Sequence, residues 1–172
     1  MTRETVSAQT VHASIRSRIA FEKLVLSVLY GALISATLFL AWQVLAMIFA
    51  ASVNLAAFAR LAFATIYYAF LVFLGGFLAA VGIGMPLFEL LERRKFRKAW
   101  PYFIAAIIVS LALLALLRNG AIFTEEPIAE TVFVVAPGML IATIFTNLIR
   151  PVWWDAELAE AETPSANIVR IH

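Results

Sequence analysis

LVLSVLYGALISATLFLAWQVLAMIFAASVNLAAFA, residues 24–59, contains no Asp, Glu, Lys, Arg or His. A helix needs ~20 predominantly apolar residues to cross ~30 Å of hydrocarbon, so this run is too long for one upright crossing. It predicts a first crossing over residues 24–50 and a tight hairpin over 51–59, where Ser52 and Asn54 can satisfy the turn backbone. A secretory signal has an apolar core of only ~7–15 residues and is removed, so the span reads as a retained anchor.

Working outward, charge-free runs recur over residues 61–88, 99–117 and 131–149. They predict crossings at 61–82, 102–117 and 131–149, the last two barely long enough, standing upright or thinning the bilayer. The composition agrees. Of 172 residues, 63% are hydrophobic and 14% charged, against ~45–50% and ~25% in soluble domains. A soluble globule of this size could not hide so much apolar surface.

Cations set the orientation. Arg3, Arg16, Arg18 and Lys23 precede the first crossing, and Arg93, Arg94, Lys95, Arg97 and Lys98 lie between the second and third. Arg150 and Arg170 follow the fourth, whereas the two opposite loops hold Arg60 and Arg118 beside Glu125, Glu126 and Glu130. Positive charge stays on the cytoplasmic side, which places both termini and the middle loop inside. The expected fold is therefore an all-α integral membrane four-helix bundle, two hairpins with N-in/C-in topology. Residues 1–23 form a cytoplasmic segment that is loose over its first dozen residues, 24–150 the membrane domain, and 151–172 a largely flexible cytoplasmic tail.

Punctuation fits these levels. Trp100, Tyr102, Trp153 and Trp154 fall at the cytoplasmic boundary, where amphipathic rings are favoured. Pro101 suits a first helical turn, Pro127 an outer loop, and Pro151 is expected to stop the fourth helix.

Lipid tails are as apolar as leucine, so helices associate through small residues and polar contacts. Gly76, Ala80 and Gly84 make a stripe at spacing four, as do Gly31 with Ser35, and Gly138 with Ala142 and Thr146. These faces are expected to pack inward. Gln43 and Asn147 read as interhelical hydrogen-bonding groups, with substrate contact as the alternative. Gly82, Gly84 and Pro86 weaken the second helix and remove a backbone donor, which predicts a kink followed by an amphipathic cytoplasmic helix. That break is either a structural bend or a hinge lining a ligand cavity, as in transporters. The cationic stretch Arg93, Arg94, Lys95, Arg97 and Lys98 is explained by topology alone, or also by contact with anionic lipid or a partner.

Several chemistries lack their residues. The chain has no cysteine, only His12 and His172, and Asp155 as its sole aspartate. Bis-histidine haem ligation inside the membrane, thiol oxidation and paired-aspartate catalysis are thereby removed, and no metal or cofactor is expected. No ionisable residue lies near the centre of a crossing, where it would mark an ion path. The sequence therefore reads as a small multi-pass protein of the bacterial inner membrane, a non-catalytic accessory or interaction subunit. Its expected partners are membrane lipids and a membrane protein or a second copy, not nucleic acid. The alternative is a small-solute or lipid transporter using the break at residues 82–86.

Overall fold

The structure, a computed structural model, describes the backbone of residues 3–49, 55–119 and 127–162, and side chains at 15–49, 55–116 and 131–159. Every described element is helical: α1 (Arg3–Phe49), α2 (Leu55–Ala79), a π-helical turn (Ala80–Gly84), α3 (Met85–Arg93), α4 (Trp100–Asn119) and α5 (Pro127–Glu162).

Three stretches, Ile15–Phe49, Leu55–Arg93 and Thr131–Ala159, are long and apolar enough to cross a membrane. The apolar part of α4, Trp100–Leu116, is shorter. At 1.5 Å per residue it reaches only ~25 Å.

Four expectations about helix ends are corrected. α1 starts at Arg3, so the segment read as loose is helical; no Gly or Pro precedes Gly31 to interrupt its hydrogen-bond ladder. Helix α2 begins at Leu55, inside the stretch 51–59 read as a hairpin turn; Ser52 and Asn54 lie outside the described residues. Pro127 opens α5 instead of sitting in a loop, the position where its missing N–H costs nothing. Pro151 does not end α5, which runs on to Glu162. Ile149, Trp153 and Ala156, on either side of that proline, are all buried, and this packing outweighs the one lost hydrogen bond. Residues 151–162 of the supposed tail are consequently helix; 163–172 lie outside the description.

Where the sequence predicts a kink, the structure has a single π turn. Across Ala80–Gly84 the ladder widens, and the Met85 N–H donates to the Ala80 carbonyl. The chain continues directly into α3, which carries Pro86 in its first turn. Helix α3 ends in a tight reversal: Lys95 takes a left-handed φ of 52°, while the Lys95 and Phe96 N–H groups donate to the Glu92 and Leu91 carbonyls. Both backbone acceptors at the helix end are thus satisfied.

Helix α2 packs on α1, α1 on α5 and α5 on α4. Two antiparallel hairpins therefore meet through α1 and α5. The best-packed region lies near the α3–α4 loop, where Leu24, Val28, Phe88, Tyr102, Phe145, Ile149 and Trp153 form one cluster. Tyr102 stacks obliquely against Phe145 and Trp153. Those two boundary aromatics are core residues, whereas Trp100 and Trp154 face outward.

The ring of four helices is not closed. Helices α2 and α4 are not substantially packed against each other, which differs from the compact packing read from the sequence. Gly76 faces Ile141 of α5 and Val28 of α1, so the small residue read as a packing face meets those helices.

Candidate functional site

The gap between α2 and α4 is a cavity of about 830 Å³. Leu24, Phe39, Trp42 and Gln43 of α1 contribute to it, and so do Val134, Pro137, Gly138 and Ile141 of α5. Ala64, Tyr67, Gly75 and Ala79 form one wall, and Ala105, Ala106, Val109 and Ser110 the other. Short side chains on both walls leave the space open. The π-turn residues Ala80, Ile83 and Gly84 line the same groove.

One α5 side chain keys the helices beneath it. A Cβ on Gly31 would run into Ile141 Cγ1, and one on Gly76 would lie 2.9 Å from Ile141 Cδ1. Ile141 thus sits where only glycine leaves room on α1 and α2. A Cβ on Gly138 would lie 2.5 Å from Ser110 Oγ and 3.4 Å from the Ala106 carbonyl. Gly84 faces Leu24 at ordinary contact distance, and Gly75 and Gly82 face open space. Ser35 and Ala142 are buried, and Ser35 Oγ has no hydrogen-bond partner among the described residues.

A cross-helix hydrogen bond repairs the backbone at Pro137. The proline has no N–H to offer the carbonyl four residues earlier, that of Phe133. Tyr68 Oη donates to that carbonyl at 2.8 Å, while its ring stacks on Phe39 at 4.6 Å and meets Phe133 edge-on. Removing the hydroxyl in Tyr68→Phe is expected to cost about 1–2 kcal/mol, because the carbonyl is left in apolar surroundings. In a Pro137→Ala background the restored N–H serves the carbonyl, and the same change should cost less than half as much. A double-mutant cycle on unfolding in detergent measures both values.

The polar residues singled out from the sequence are not brought together. Gln43 lines the groove, whereas Asn147 lies in a separate pocket of about 450 Å³ with Arg97, Arg150, Trp153, Trp154 and Glu157. The carbonyl that Pro151 leaves unserved is that of Asn147, at this pocket.

The cationic loop divides into two parts. Arg93, Arg94, Lys95 and Lys98 are exposed, with Lys98 Nζ 5.5 Å from the Phe96 ring centre. Arg97 is different: its side chain is 4% exposed and pairs with Glu92 at 3.1 Å. Its Nε also donates to the other carboxylate oxygen at 3.5 Å. Arg16 of α1 pairs with the same carboxylate at 3.1 Å, and Ser17 Oγ donates to Glu89 at 3.3 Å. Glu92 thus joins α1, α3 and the loop, a role not read from the sequence. The available signal was its position: an acidic side chain in the last turn of a helix opposes the macrodipole and implies a cationic partner.

Set against known proteins, the chain matches no family model, no curated protein and no solved structure.

Proposed function

We propose that this chain is a four-crossing protein of the bacterial inner membrane, with both termini and the α3–α4 loop in the cytoplasm, acting as a non-catalytic accessory subunit. The observation that carries the membrane placement is apolar surface on the outside of the helices. Phe63, Ile66 and Leu78 of α2 are 74%, 70% and 62% exposed, although a soluble protein rarely leaves large contiguous apolar patches in water. Lipid is the solvent in which such a surface is stable. Residues 1–23 and the helical end of α5 belong to the cytoplasmic side in this reading. The exposed Arg93, Arg94, Lys95 and Lys98 contact anionic headgroups there, each contributing about 1 kcal/mol near the surface. Arg97, held by Glu92, contributes little to that contact.

Reporter fusions at the C-terminus and within the α3–α4 loop are expected to report the cytoplasm, and fusions within residues 50–54 or 120–126 the opposite side. Loop and C-terminus on opposite sides would overturn the topology. Crosslinking in native membranes tests the accessory role, which fails if only monomer without any partner is recovered. One observation favours transport as a second reading: the π-turn residues and Pro137–Gly138 line one groove. Lipid or solute movement by the purified protein in liposomes would raise that reading above the first.

A further inference from the structure

We infer that the pocket between α4 and α5 binds the phosphoethanolamine headgroup of a membrane phospholipid, its phosphate on Arg150 and its ammonium on Glu157. Such binding rests on the membrane placement proposed above and adds a ligand class to it.

Two opposite charges share this pocket without meeting. Arg150 and Glu157 of α5 line it together with Asn147 and Trp154. Both charged residues are exposed, yet neither forms an ion pair with the other or with any other described residue. They stand two helical turns apart on one face, a rise of roughly 10 Å. A phosphate and an ammonium joined by two carbons, with a charged hydrogen bond of ~2.8 Å at each end, span about that distance.

The order of groups along α5 is that of a phospholipid. In the proposed topology α5 runs toward the cytoplasm, so Asn147 lies deepest, Arg150 next and Glu157 outermost. A lipid anchored by its tails presents its ester oxygens, phosphate and ammonium in the same sequence. The Asn147 amide offers donors to the esters. It has no hydrogen-bond partner among the described residues, which leaves a polar group unsatisfied in a lipid setting. Trp154, 64% exposed, lies one turn beyond Arg150, at the headgroup level that indole rings favour. Arg97, fixed by Glu92, adds a second guanidinium to the pocket wall.

Charge selects among headgroups. A purely anionic lipid brings nothing to compensate Glu157 and meets its repulsion. A choline nitrogen carries no N–H to donate to the carboxylate, whereas a primary ammonium carries three. The carboxylate thus separates this pocket from the exposed cations of the α3–α4 loop, which suit anionic lipid.

In the test, full-length protein in mild detergent is titrated with phosphatidylethanolamine, phosphatidylcholine and phosphatidylglycerol of identical acyl chains. Native mass spectrometry counts the bound lipid. Phosphatidylethanolamine is expected to bind about tenfold more tightly than either of the others. Glu157→Gln should abolish its advantage over phosphatidylcholine. Arg150→Gln should lower its affinity about tenfold, and Arg150→Lys should retain most of it. Asp155→Asn, exposed on α5 and outside the pocket, should change nothing. Independently of any variant, a carbodiimide applied to the wild-type protein in vesicles containing phosphatidylethanolamine should join the Glu157 carboxylate to the lipid amine as an amide. Asp155 should couple little. Equal affinity for phosphatidylglycerol would overturn the zwitterionic headgroup, and equal coupling at Asp155 and Glu157 would overturn the site. Displacement of the lipid by free glycerophosphoethanolamine at equal concentration would overturn the lipid as the source of the headgroup. Coupling of Glu157 to a lysine of another chain would make protein the occupant. If reporter fusions confirm the topology while the three lipids bind alike, the headgroup site fails alone.

Discussion

Gly31→Ala is expected to destabilise the protein by about 1–3 kcal/mol, although the substitution adds one methyl group and raises helix propensity. The added Cβ would occupy the position of Ile141 Cγ1, and the Ile141 Cα lies only 3.5 Å from it. The obstruction is the γ carbon of a β-branched side chain whose χ1 is strongly restricted in a helix, so either Ile141 takes a disfavoured rotamer or α1 and α5 move apart. That contact joins the two hairpins. In a bilayer, no hydrophobic driving force toward water compensates for the lost fit. Ile141→Ala removes the obstructing atom. The double variant should therefore be more stable than the sum of the two single losses predicts, by at least about 1 kcal/mol. Gly75→Ala is the matched comparison, since nothing lies within 4 Å of its added carbon. It should be neutral or slightly stabilising. The midpoint of unfolding in a mixed-detergent titration reads all four variants, and equal stability of Gly31→Ala and Gly75→Ala would remove the packing explanation.

The contrast between Gly75 and Gly76 also marks how far the fold was legible. Charge-free runs over residues 24–59 and 61–88 are a property of the chain itself, and helical hairpins follow from bilayer thickness without knowledge of any contact. Which glycine is packed and which is open depends on where Ile141 arrives from α5, and no pattern within residues 55–79 carries that information. The opening between α2 and α4 was hidden for a related reason. Gly75, Ala79, Ala105 and Ala106 have the small-residue character of a packing face, and the same residues leave a groove when the opposing helix is elsewhere. At Pro151 a sound local rule was overridden from outside: the buried side chains of Ile149, Trp153 and Ala156 hold the helix through the interruption. Pro137 was repaired by Tyr68, a residue 65 positions away from the carbonyl it serves. Local punctuation is reliable where tertiary contacts are few, and these two prolines lie where they are many.

Glu92→Ala should be the most damaging single change in the charged part of the molecule, with an expected loss of about 3–5 kcal/mol, because it strips a buried guanidinium of its carboxylate. The two partners of Glu92 are not equivalent. Arg97 is 4% exposed and meets both carboxylate oxygens, whereas Arg16 is 32% exposed. Water screens the Arg16 pair, and Arg16→Ala should cost no more than about 1 kcal/mol. Burial without the counter-charge is what makes the Glu92 loss large, so replacing both members with apolar residues of similar size should recover most of it. Glu92→Leu combined with Arg97→Met is accordingly expected to be more stable than Glu92→Leu alone. A simple sum of two damaging substitutions predicts the reverse order. Thermal unfolding of the single and double variants in mild detergent distinguishes the two outcomes. If the double variant is the less stable, Glu92 acts through contacts other than its fork with Arg97, and the α3–α4 loop is held by some other means.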